Sequence, residues 1–136
     1  MTLTAVRDGL VTRLNTINGL RVYETPPAVV QEFPAAILTQ REPFASYDQV
    51  IGAPDVRYSF EVLVLVRSGD EGQAFSALEP YVSPAGASSV KAAVDGDLGG
   101  NADWARVVQA PSVGRVTYQR VGYWGATFRV DVYESG

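Results

Sequence analysis

An alternating stretch near the middle of the chain is its clearest pattern. From Arg57 to Arg67, every second side chain is apolar. Successive side chains in a strand point to opposite faces, so one face of this segment would carry only hydrophobic groups. The other face begins polar, with Arg57, Ser59 and Glu61, and becomes apolar further on. The pattern predicts a long central strand, covered along one face and only partly covered on the other.

Helical spacing precedes this strand. Apolar residues between Leu3 and Ile17 recur every three or four positions, and Asn18-Gly19 supplies a stop signal. Two short alternating segments, 20–24 and 35–40, then predict strands bounded by prolines.

The second half of the chain predicts two helices and three strands. A capping pattern at 68–73 opens a helix that would run to about Tyr81, with Pro80 stopping or kinking it near its end. Its apolar side would be Ala74, Phe75, Leu78 and Tyr81. Ser88 or Ser89 opens a short helix at 90–94. Alternating segments at 105–110, 113–119 and 123–133 predict the strands, with a hairpin turn at 120–122.

Residues 43–55 are the least core-like part of the chain. Phe44, Tyr47, Val50 and Ile51 stand among turn-forming residues, which indicates either a hairpin extension or a long loop. Exposed aromatic and aliphatic side chains on such a segment would form an interaction surface, whereas side chains that fold back would join the core. We take these four residues, with Arg57 and Glu61 on the polar half of the central strand, as candidate interface residues.

The order of elements indicates an α+β fold. A mostly antiparallel sheet would carry the N-terminal helix and one or two further helices on one face. The length of 136 residues is typical of a single domain, so residues 1–136 are expected to form one unit.

Composition removes most catalytic chemistry. The chain has neither cysteine nor histidine, which excludes disulfides, thiolate nucleophiles and every Ser-His-Asp arrangement. No phosphate-binding loop, dinucleotide fingerprint or zinc motif is present. The Gly-Asp segment 95–103 resembles a calcium loop only in part, because Gly99 and Arg106 occupy two ligand positions. We therefore predict a non-enzymatic protein without catalytic, cofactor-binding or metal-binding residues.

Charge argues for protein partners. A net charge of −4 makes the chain a poor partner for phosphate backbones. Arginine far outnumbers lysine, since Lys91 is the single lysine. This bias fits either protein interfaces or a GC-rich source genome. No apolar run approaches the roughly 20 residues of a membrane helix, and the N-terminus lacks a signal-peptide pattern. The sequence therefore predicts a protein made in the cytoplasm of its producer, with no membrane partner.

Three stretches together resemble the tail terminator proteins of long non-contractile-tailed bacteriophages, especially those of actinobacterial hosts. The first is LVTRLNTINGLRVYETPP. The second runs from FEVLVLVRSGDEGQAF through SALEPYVSPAGASSVKAAVDGDLGG. The third is GRVTYQRVGYWGATFRVDVYE. The likeness extends over nearly the whole chain and rests on the order of these pieces.

The resemblance implies a structural virion protein of the tail or neck, assembled in the host cytoplasm. Such a protein forms a homo-oligomeric ring, typically a hexamer, that caps the completed tail tube. Its partners would be the tail tube protein and a head completion or connector protein, and DNA would pass through the bore without specific binding. A stopper or joining subunit of the head-tail connector is the alternative. A small ligand-binding or hydrolytic α+β domain is the alternative from another class.

Overall fold

One sheet of five strands organises the molecule. The computed structural model describes residues 3–28, 30, 32–50, 53–66, 71–96 and 104–135. Its elements, in chain order, are α1 (Leu3–Leu14), β1 (Arg21–Tyr23), β2 (Ala35–Val50), β3 (Ala53–Val66), α2 (Glu71–Val82), α3 (Val90–Val94), β4 (Trp104–Tyr118) and β5 (Val121–Ser135).

The predicted central strand lies at the centre of this sheet. The strand order is β1-β2-β3-β5-β4, so β3 pairs with β2 on one side and with β5 on the other. Only the short β1 runs parallel to its neighbour, and the other pairings are antiparallel. The predicted α+β class with a mostly antiparallel sheet is therefore confirmed.

All three helices contribute to a core on one face of the sheet. The alternating positions Phe60, Val62 and Val64 of β3 are at most 1% exposed, and they belong to the same apolar cluster as the helices. The buried helix residues of this cluster are Val6, Leu10 and Leu14 of α1, Ala74 and Leu78 of α2, and Val90 and Val94 of α3. The helices therefore cover the apolar face of the central strand, as its alternation predicted.

A smaller apolar cluster lies on the opposite face, at one end of the sheet. Val30, Ala35, Ile37 and Leu65 are buried there. Partly buried side chains of the 23–33 connector and the β4–β5 hairpin pack around them, among them Tyr23, Phe33, Tyr118 and Tyr123. This cluster covers the apolar half of the mixed face of β3. No described helix packs on the polar half of that face.

Residues 43–50 and 53–55 form a hairpin extension rather than a loop. β2 continues from Ala35 to Val50 and pairs with β3 as far as Val50↔Ala53, with a register irregularity between Gln40 and Ala45. Pro43 lies inside this irregularity. Proline has no amide N–H to donate, and at this position it does not interrupt a regular ladder of hydrogen bonds.

Three boundaries differ from the sequence prediction. Segments 105–110 and 113–119 form the single strand β4 at the edge of the sheet, and Pro111 lies inside its register shift between Gln109 and Ser112. The following hairpin turns at Gln119 and Arg120, both with positive φ, rather than at 120–122. Pro80 lies within α2, which continues two residues beyond it. A fourth boundary also differs, because α1 ends at Leu14, before the predicted stop at Asn18-Gly19, and Gly19 lies in a later turn with a φ of 81°.

In the part of the chain that the structure describes, no helix has the length and apolar character needed to cross a bilayer.

Candidate functional site

The polar half of the mixed sheet face is the candidate site. Cross-strand register places its side chains in three rows: Glu61 beside Arg129, Ser59 beside Asp131 and Arg106, and Arg57 beside Tyr133 and Trp104. We call this surface the open face, because no described helix packs on it. Directly opposite residues interact across neighbouring strands, so the three rows form one continuous surface.

Asp131 is buried in the middle of the open face. It is 3% exposed, and so is its neighbour Ser59. The Ser59 hydroxyl donates a hydrogen bond of 3.4 Å to Asp131 Oδ1, and Arg129 Nε lies 3.6 Å from the same oxygen. Arg129 and Asp131 therefore form an ion pair on the open face.

Two guanidinium groups on this face retain hydrogen-bonding capacity. The Nε atoms of Arg57 and Arg129 are buried, and neither has a hydrogen-bond acceptor among the described residues. A buried donor without an acceptor costs free energy, so neither arginine has its full hydrogen-bonding capacity used within the described residues.

The structure separates the six predicted interface residues. Arg57 and Glu61 lie on the open face, in register with Tyr133 and Arg129 of β5 respectively. Phe44 instead packs against the core, with its ring 5.5 Å from Tyr58 and 5.2 Å from Phe60. Phe44 therefore packs, partly buried, against the core, as in the alternative that the sequence left open, and its role at an interface stays a prediction.

Tyr47 and Val50 lie toward the end of the hairpin. The backbone of Tyr47 pairs with Val56 and that of Val50 with Ala53. Ile51 lies outside the described residues.

A second surface feature was not predicted as a site. An apolar groove of about 370 Å³ runs between α2 and β4, lined by Phe75, Glu79, Val82, Ser83, Pro84 and Val113. Phe75 was expected on the buried side of α2, but it is 60% exposed. Ala74 and Leu78 occupy the buried stripe, and the next residue along a helix points about 100° away.

Trp104, like the groove, was not predicted from the sequence as part of a site. It begins β4 on the open face, opposite Tyr133, and is 51% exposed. The only available signal was its position directly after the Gly-Asp segment, which marks a strand start but not a side-chain direction.

The described titratable groups do not converge on a catalytic arrangement. Within the described ranges, no group of three or more potential ligands is placed to hold a metal ion. The pKa of Glu24 is raised, chiefly by a hydrogen bond to Asp8, with partial burial and the negative charge of Asp8 adding to the effect. Burial raises the pKa of Tyr81. Neither group lies on the open face or lines the groove.

Comparison with known proteins assigns no family to this arrangement. No protein-family model matches the chain, and a search among curated proteins gives no significant match.

Proposed function

We propose that this chain is a structural virion protein that forms a ring, caps the completed phage tail tube and offers the joining surface for the head connector. The observation that carries the proposal is the open face. It combines the exposed Trp104 with the arginines Arg57 and Arg129. Aromatic and arginine side chains are the types most enriched at the centres of protein interfaces.

The two sides of the sheet support a role in association. One face is closed by three helices, so the monomer has its own core. The other face is a flat surface on which polar groups are already partly withdrawn from water, as Asp131 and Ser59 show by their burial. Covering such a surface by a neighbouring subunit removes little additional polar solvation, because those groups are already bonded to one another.

The overall charge fits a ring around DNA that does not bind it. The chain carries 15 acidic against 11 basic residues. A negatively charged wall repels the phosphate backbone, so DNA passes through the bore without being held. In this proposal the protein acts through contacts alone, without catalysis or a cofactor.

The test measures assembly in two stages. Light scattering coupled to size-exclusion chromatography gives the subunit number, and negative-stain imaging shows whether a closed ring is present. The purified protein is then mixed with polymerised tail tubes and, separately, with purified head portals. We expect rings that bind the ends of tubes. A protein that remains monomeric at all concentrations and adds to no tube would overturn the proposal.

The same experiment separates the neighbouring role in the connector. A stopper or joining subunit binds the head portal in the absence of a tube, whereas a terminator binds the tube end first. Binding to portals alone would therefore assign the chain to the connector. Arg57→Ala tests the open face itself, because it leaves the Arg129–Asp131 ion pair in place. We expect it to fold and to lose tube binding, while Arg13→Ala, on the helix side of the molecule, leaves binding unchanged.

A further inference from the structure

Two exposed apolar features lie on different sides of β4. Trp104 stands on the open face at the start of the strand. Val113 pairs with Ala126, which belongs to the helix-side core. Val113 therefore lies on the helix side of the sheet, opposite to Trp104, and lines the apolar groove. An exposed large side chain and an exposed concave apolar surface are each unfavourable in water.

The groove has the size and lining for one aromatic side chain. Its volume of about 370 Å³ exceeds that of an indole ring, and Phe75, Val82, Pro84 and Val113 provide apolar walls. Phe75 and Val113 are 60% and 37% exposed, so a ring inserted between them would shield two hydrophobic side chains besides its own. Aromatic rings gain further from offset or edge contacts with one another.

The charges around the two features are complementary. Glu79 lines the groove and is exposed. Trp104 is accompanied on its own face by Arg106, which is exposed, and by Arg57 across Tyr133. A tryptophan flanked by arginine would therefore meet a groove that carries a carboxylate. Among the described residues, Trp104 and the groove do not meet within one copy, because they lie on opposite sides of β4.

We propose that Trp104 of one copy of this chain docks into the groove of a second copy, with Arg106 of the first copy facing Glu79 of the second. The contact joins two different patches, so repeated use of it builds a closed ring or an open chain of subunits, and reciprocal use builds a dimer. The proposal names the subunit contact of the proposed ring and in that respect rests on it, although the docking itself requires only self-association.

The first test compares two equally exposed apolar residues. Trp104→Ala and Val121→Ser each remove a side chain that is about half exposed in the monomer, at 51% and 50%. We expect Trp104→Ala to weaken self-association at least about 30-fold in sedimentation velocity across a dilution series, as for a central interface aromatic. Val121→Ser leaves it within about twofold. Equal effects of the two substitutions would overturn the proposal.

The second test uses charge reversal between copies. Glu79→Arg and Arg106→Glu should each impair self-association, because each places like charges together at the contact. A mixture of the two variants should assemble, because residue 106 of one variant then faces a residue of opposite charge at position 79 of the other variant. Assembly that is equally impaired in the mixture and in either variant alone would overturn the proposal. Circular dichroism and thermal unfolding identify any variant that fails to fold.

If Arg106→Glu, a change next to Asp131, fails to fold, a replacement variant still tests the proposal. Arg106→Gln then replaces it: loss of the positive charge relieves the repulsion with Glu79→Arg, so the mixture of these two variants should assemble better than Glu79→Arg alone. The outcomes also separate this contact from the proposed function. Rings that cap tubes and persist in Trp104→Ala refute the contact alone, whereas Trp104-dependent assembly without tube binding refutes the terminator role alone.

Discussion

Ser59 donates a hydrogen bond of 3.4 Å to Oδ1 of Asp131 across the β3–β5 pair, and both residues are 3% exposed. The same carboxylate lies 3.6 Å from Arg129 Nε. A charged group this far removed from water is tolerated only where hydrogen bonds and an opposite charge accompany it. Asp131 therefore organises the centre of the open face.

Replacing Asp131 tests that role. Asp131→Asn keeps an oxygen for Ser59 but removes the negative charge that faces Arg129. We expect the free energy of unfolding to fall by about 1–3 kcal/mol in urea denaturation. Glu61→Gln is the matched control: it lies in register with Arg129 but is partly exposed, so the change should stay within about 0.5 kcal/mol. Equal effects of the two substitutions would show that burial of Asp131 contributes nothing.

Side-chain alternation predicted much of the fold. Phe60, Val62 and Val64 face the helices because period two leaves no other arrangement for a strand with one apolar face. The same reasoning placed Arg57 and Glu61 on the polar half of the other face. These predictions succeeded because they depend only on local backbone geometry.

The remaining features depend on contacts between distant segments. The bulge in β2 determines that Phe44 points to the core, and nothing within residues 40–45 specifies it. Ala74 and Phe75 are adjacent apolar residues on one helix, so periodicity does not decide which of them is buried. Asp131 and Glu61 were equally plausible partners for Arg129, and packing selects Asp131. The groove arises where α2 meets β4, so no single stretch of sequence predicts it.

Close approach of strands at Gly125 gives a second prediction. A Cβ added at this position would lie 2.5 Å from the Val64 carbonyl oxygen and 2.8 Å from Leu65 Cδ2. We expect Gly125→Ala to destabilise the fold by about 2–3 kcal/mol, because the backbone of a central strand must shift. At Gly122 the nearest atom is the flexible end of Arg115, 3.1 Å away, so Gly122→Ala should cost under about 1 kcal/mol. Chemical denaturation of both variants measures the difference. A cost at Gly122 as large as that at Gly125 would contradict this explanation.

The β4–β5 turn offers a stabilising substitution. Gln119 and Arg120 have φ angles of 50° and 66°, between the paired residues Tyr118 and Val121. A two-residue hairpin turn with positive φ at both positions favours Asn followed by Gly. Gln119→Asn with Arg120→Gly should raise the free energy of unfolding by about 1 kcal/mol. Arg120→Ala removes the same side chain but keeps a Cβ, so it should give no gain in thermal unfolding. A gain from Arg120→Ala equal to that from Arg120→Gly would exclude the backbone explanation.

The raised pKa of Glu24 predicts a pH dependence of stability. Its hydrogen bond to Asp8 holds a proton more tightly in the folded chain than in the unfolded one. The free energy of unfolding therefore falls as pH rises through the unfolded and then the folded pKa of Glu24. Glu24→Gln removes this loss, so the variant should melt higher than the parent at pH 7, and the difference should shrink on acidification to about pH 3. Glu32→Gln serves as control, because Glu32 forms an exposed ion pair with Arg21 at 3.5 Å. That variant should gain nothing at pH 7, and a gain equal to that of Glu24→Gln would contradict the assignment to Asp8.

Two changes in the β2–β3 hairpin distinguish a role in folding from a role in assembly. The Phe44 ring packs on Tyr58 and Phe60, so Phe44→Ala should lower the free energy of unfolding by about 2–3 kcal/mol. Replacing residues 47–56 with Asn-Gly joins Ser46 to Arg57, which already pair, and removes the hairpin end without touching that aromatic cluster. We expect this shortened chain to unfold within about 1 kcal/mol of the parent and to bind tail tubes more weakly. Urea denaturation and tube-binding assays are run on both variants. A Phe44→Ala protein of unchanged stability that no longer assembles would assign Phe44 to the interface and contradict its place in the core.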